Sequence, residues 1–140
     1  MYRYVIGMSD KRSEIRNQLK YSGEQVALHL IKLAIYPDAQ ERNHWKQEVY
    51  AFLHKVPKFK KTNKWPEQEF IFEALSVYDD VVDNLVLEVY DDEESLTPSE
   101  VPTKKLEDML VTYHAWAAHE LSKNGILRRQ EVYDKIDELL

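Results

Sequence analysis

The stretch "VALHLIKLAIYPDAQERNHWKQEVYAFL", Val26 to Leu53, reads as two amphipathic helices meeting at a proline. Val26, Leu30 and Leu33 continue a near-heptad series that begins at Ile15 and Leu19, and Ser9 or Asp10 can cap the helix that carries it. Ser22–Gly23 predicts a kink or break within this first helix. Pro37 ends it, because a proline has no N–H to continue the helical ladder, and opens the next. From Asp38 to about His54 the apolar positions Trp45, Val49, Phe52 and Leu53 predict a second helix, and Pro57 is expected to halt it.

Working outward, Pro66 suits the first turn of a third helix. Ile71, Leu75, Tyr78, Val82, Leu85 and Val89 follow it in steps of three and four, the longest apolar series in the chain. The end of that series, "NLVLEVYDD", is rich in β-branched and aromatic residues and also suits a short strand near 85–90, paired with "YRYVI" at the N-terminus. The acidic connection "DDEESLTPSEVPT" leads to a helix from about Thr103 to Lys123, with Leu106, Leu110, Tyr113, Ala117 and Leu121 facing inward and Asn124–Gly125 as its stop. A last helix runs from Ile126 to the end on Val132, Ile136 and Leu139. The expected fold is all-α, a single-domain bundle of five or six helices over residues 1–140.

Composition narrows the function. A chain of 140 residues buries roughly two-thirds of its unfolded surface in one core and needs no disulfide or metal staple. Cysteine is absent, which removes thiol nucleophiles, disulfides and cysteine-based metal sites. "MYRYVIGM" lacks the pattern of a secretory signal. The apolar cluster "VALHLIKLAIY", interrupted by His29 and Lys32, falls short of a membrane span of about 20 residues, so the expectation is a soluble, cytoplasmic protein without membrane contact. Only three glycines occur, Gly7, Gly23 and Gly125, too far apart to build a phosphate-cradling loop or a dinucleotide fingerprint. No cofactor is implied.

The charge map is uneven in a chain of formal net charge −6. "HKVPKFKKTNKW", His54 to Trp65, holds Lys55, Lys58, Lys60, Lys61 and Lys64 without an acid. From Pro66 to Pro102 there is no lysine or arginine, whereas Glu67, Glu69, Glu73, Asp79, Asp80, Asp83, Glu88, Asp91 to Glu94 and Glu100 are all acidic. The lysines read first as an inter-helix loop beside an acidic neighbour. Together with Phe59 and Trp65 as stacking platforms they also have the residue types for single-stranded nucleic acid. Against that reading stand the absence of arginine in the stretch and a pI of about 5.4.

Asp79, Asp80 and Asp83 share a helical face by spacing and are the candidates for a magnesium- or manganese-dependent hydrolase, although a metal site needs further ligands from a second element. Glu41 and His44 have the Glu-x-x-His spacing of di-iron bundles, which use two such motifs where this chain has one. His114 and His119 are five apart, turned about 140° from each other on a helix, and do not share a ligand. His54 belongs with the lysines and is expected to be exposed, while His29, with Gln25 one turn back, is expected to be a partly buried, hydrogen-bonded structural residue.

His29, Leu30, Ile31 and Lys32, then Pro37, Trp45 and Pro57-Lys58-Phe59-Lys60 together resemble the core motif of a bacterial family catalogued as domain of unknown function 29. The resemblance covers about Ser22 to the middle of the third expected helix. It departs from the family in the N-terminal acidic segment, in a longer Pro37-to-Trp45 spacing and in the acidic region after Pro66. It implies a small helical protein and no particular activity. The expected function is therefore non-enzymatic, through protein–protein contact or self-association at Lys55–Lys64 and the Asp91–Glu94 run. Single-stranded nucleic-acid binding at the lysines and metal-dependent hydrolysis are the alternatives.

Overall fold

The structure, a computed structural model, describes residues 2–63, 89, 97–124 and 127–140. It is all-α among those residues: α1 spans Tyr2–Ile35, α2 Arg42–Asn63, α3 Thr103–Asn124 and α4 Arg129–Leu139. Val89 is helical as well, and the rest of the 66–90 series lies outside the described residues, as does any strand near 85–90.

Where burial is described, each helix buries the stripe its periodicity predicts, except that Leu139 at the end of α4 is only partly buried. Val26, Leu30 and Leu33 of α1, Trp45, Val49 and Leu53 of α2, Leu106, Leu110, Tyr113, Ala117 and Leu121 of α3, and Val132 and Ile136 of α4 fill one core. The C-terminal half of α1 supplies its most continuous wall, with Ile31 and Ile35 also sealed from solvent. Among the described helices the most extensive pair is α1 with α2, the two arms either side of Pro37. Fully burying each such aliphatic side chain contributes about 1.5–3 kcal/mol. Leu127 is buried just before α4, so the last helix begins after its anchor, at Arg129, and not at Ile126 as its apolar run suggests.

Three expectations are corrected. "YRYVI" belongs to α1 and is not a strand: adding residues to an existing helix gains a backbone hydrogen bond for each one fixed, whereas a strand also requires a partner edge. Ser22–Gly23 does not break α1, which is continuous to Ile35. Both residues are buried, and the missing Gly23 side chain lets α3 approach closely enough for the His114 ring to bond the Gly23 backbone. Pro57 does not halt α2, which runs to Asn63 and takes most of the lysine stretch with it. Pro57 withholds one helical bond, to the carbonyl of Leu53, but a single missing bond does not terminate a helix that propagates on both sides.

Pro37 does mark an end, and the reason is visible in the carbonyls. Arg42 Nη1 donates to the Leu33 oxygen at 2.6 Å and to the Tyr36 oxygen at 3.1 Å, and Ser99 N donates to the Ile35 oxygen at 2.8 Å. The last acceptors of α1 are thus satisfied by a side chain from α2 and by the extended 97–102 segment. Tyr36 adds a bond from its hydroxyl to the Val89 carbonyl at 3.3 Å. Helix α2 starts at Arg42, later than Asp38, because residues 37–41 are spent on this turn.

Candidate functional site

Two sets of residues bear on function. The first is the motif set. Trp45 is buried on α2, with Lys32 Nζ 5.8 Å from its ring centroid and the Tyr36 ring 6.1 Å away. The half-buried Lys32 thus sets its ammonium over the indole, a cation–π contact. His29 is half-buried one turn earlier. Its Nδ1 donates to the Gln25 carbonyl at 2.6 Å, because a carbonyl only accepts, and its ring lies 6.2 Å from that of Phe52. Burial lowers the His29 pKa from its ordinary value, more strongly than the Gln25 bond raises it. Pro37 is exposed at the turn. Among the described residues His29, Lys32 and Trp45 therefore form the packed seam of α1 against α2, with Pro37 at its end.

The second is the lysine set. His54 and Lys55 are exposed, and Lys55 Nζ sits 4.7 Å over the Phe52 ring. The backbones of Lys58, Phe59, Lys60 and Lys61 are helical, which corrects the expected loop. Their side chains lie outside the described residues, as do Lys64 and Trp65 entirely. Asp79, Asp80, Asp83 and the Asp91–Glu94 run also lie outside them. Among the described residues no group of three or more His, Cys, Asp or Glu side chains could hold a metal ion. Glu41 and His44 are both exposed, and His44 instead faces Glu48 at 3.7 Å. No helix among the described residues is long and apolar enough to cross a membrane.

His114 and His119 separate as their spacing requires, the first fully buried and the second exposed. His114 Nδ1 donates to the Leu110 carbonyl at 2.9 Å. Burial pushes its pKa down to about 4, against backbone hydrogen bonds to Leu110 and Gly23 that favour the protonated ring. The Tyr113 phenol beside it is pushed up by burial, and its hydroxyl donates to the Val132 carbonyl at 3.4 Å. These are groups that hold α3 to α1 and α4.

Sequence reasoning missed a cleft of about 510 Å³ between the end of α1, the first turns of α3 and the end of α4. Leu33, Ala34, Leu106, Met109 and Leu139 supply apolar walls, and Arg42, Lys105, Asp108 and Asp137 are at its polar parts. Asp137 accepts from Lys46 Nζ at 2.7 Å, and Asp108 lies 3.9 Å from Lys104. One signal was legible: Lys104 and Lys105 stand in the first turn of α3, where acids are electrostatically preferred and none is present. The remaining members come from four separate stretches of chain, which no local pattern unites. Comparison with protein-family models, with curated proteins and with solved structures gives no match.

Proposed function

We propose that the protein is a non-enzymatic helical interaction module whose basic contact surface is the C-terminal half of α2. The observation that carries this reading is the continuation of α2 through Pro57 to Asn63. Lys55, Lys58 and Lys61 recur every three residues along this helical backbone, a spacing that favours a defined partner surface over a solvated loop. The partner's matching chemistry is acidic. The chain itself carries such residues in the Asp91–Glu94 run, so self-association belongs to the same proposal. In this reading the acidic apolar series from Pro66 supplies a further helix of the bundle, and the likeness to domain of unknown function 29 accounts for the α1–α2 seam without assigning an activity.

The test is charge reversal. Lys58→Glu, Lys60→Glu and Lys61→Glu together are expected to leave the far-ultraviolet circular dichroism and melting temperature unchanged while removing co-purifying partner chains, or shifting self-associated protein to monomer. An unchanged partner list and unchanged sedimentation would overturn the reading. Titration of a fluorescent single-stranded oligonucleotide at two salt concentrations separates the nucleic-acid alternative, which requires binding that weakens steeply with salt and is lost in the same variant.

A further inference from the structure

We infer that the cleft at the α1–α3–α4 junction is a binding site for a small amphipathic carboxylate, an organic acid with an apolar body. Its volume of about 510 Å³ falls within the roughly 300–1,000 Å³ of small-molecule pockets. Leu33, Ala34, Leu106, Met109 and Leu139 offer the body an apolar bed, and Met109 can adapt its shape to the chain laid on it.

The head group follows from the charges. The cleft has two cations and two acids, but they are not equally committed. Asp137 is held by Lys46 at 2.7 Å and Asp108 is near Lys104, so both acids have cationic partners outside the cleft lining. Lys105 has no ion pair among the described residues. Arg42 spends only Nη1 on its two helix-capping bonds, and a guanidinium carries three more N–H donors on Nε and Nη2. Those bonds also fix its position, so little ordering entropy is lost when it engages an anion. The N-terminal end of α3 adds its own positive field at Lys105, which no acid in the first turn offsets. An uncommitted positive rim over an apolar bed selects an aliphatic or aromatic acid over the corresponding alcohol or amine. This site is separate from the lysine half of α2 and stands or falls independently of it.

Isothermal titration of the full chain with octanoate, octanol and octylamine tests the inference. Octanoate is expected to bind saturably at one site, with octanol weaker by about tenfold, the loss of one or two charge-assisted hydrogen bonds. Lys105→Glu, at an exposed position that the fold does not depend on, is expected to weaken octanoate by at least about tenfold while leaving octanol unchanged. Met109→Trp, which fills the cleft, is expected to abolish both. The inference is overturned by absence of saturable octanoate binding, by octanol or octylamine binding as well as octanoate, or by wild-type octanoate affinity in folded Lys105→Glu protein.

Discussion

Pro37 and Pro57 are the same residue in helical surroundings, twenty positions apart, with opposite outcomes. At Pro37 the chain leaves the helix, turns through residues 37–41 and returns as α2. At Pro57 it continues helical for six more residues. The difference lies in what replaces the lost backbone bonds. Around Pro37 the freed carbonyls of Leu33, Ile35 and Tyr36 find Arg42 and Ser99 as donors, and the turn is clamped by Tyr36 against Trp45. A proline therefore permits a helix end, and tertiary donors determine whether the end is taken.

The largest expected effect isolates that distinction. Pro57→Ala restores the N–H that α2 lacks and is expected to stabilise the protein by up to about 3 kcal/mol, while Pro37→Ala, at an exposed turn, changes stability by less than about 1 kcal/mol. Urea midpoints of the two variants decide it. Equal shifts would mean that the two prolines sit in equivalent conformations and that the contrast is wrong.

Next in size is a buried group remote from both prolines, which shows what the α1–α3 contact contributes without any turn. The folded pKa of His114, about 4, lies below the ordinary value of 6.5, so above pH 6.5 the ring is neutral in folded and unfolded chains alike and has no pH-linked cost. As pH falls from 6.5 toward 4 the unfolded chain takes up a proton that the folded one refuses. Stability is then lost, on the order of 3 kcal/mol, and this contribution levels off below pH 4. His114→Gln is expected to lose less stability than the native protein between pH 7 and pH 4, measured by denaturant midpoints. Parallel pH profiles would show that His114 takes up its proton equally in the folded and unfolded chains, and would remove its burial from the account of acid stability.

The smallest effect is at the clamp itself. Arg42→Met removes both carbonyl bonds and keeps most of the apolar stem, so a loss of about 2 kcal/mol is expected, together with faster hydrogen exchange in the last turn of α1. Unchanged exchange there would remove Arg42 from the explanation of why the helix stops at Pro37.

Much of the fold was legible because helical burial is periodic. Trp45, Val49 and Leu53, or Leu106, Leu110, Tyr113 and Ala117, identify their helix and its inner face by spacing alone. His29 was legible for a related reason, since its partner Gln25 is one turn away on the same helix. The extent of α2 was not, because a proline rule describes a local cost and the cooperative gain of helix on both sides exceeded it. Nor was the burial of His114, whose ring bonds the backbone of Gly23 on a different helix.

By itself, then, the sequence determined a helical protein, the inner faces of its helices, the turn at Pro37 and a basic stretch followed by an acidic one. These are properties of neighbours three, four and seven residues apart, or of composition. Only the tertiary structure decided that the basic stretch is mostly helix and that Arg42 caps a helix to which it does not belong. It alone set Lys105, Asp137 and Met109 around one cleft. Those depend on which helices pack together and at what crossing, and side chains from 33 to 140 meet there only after the core has closed.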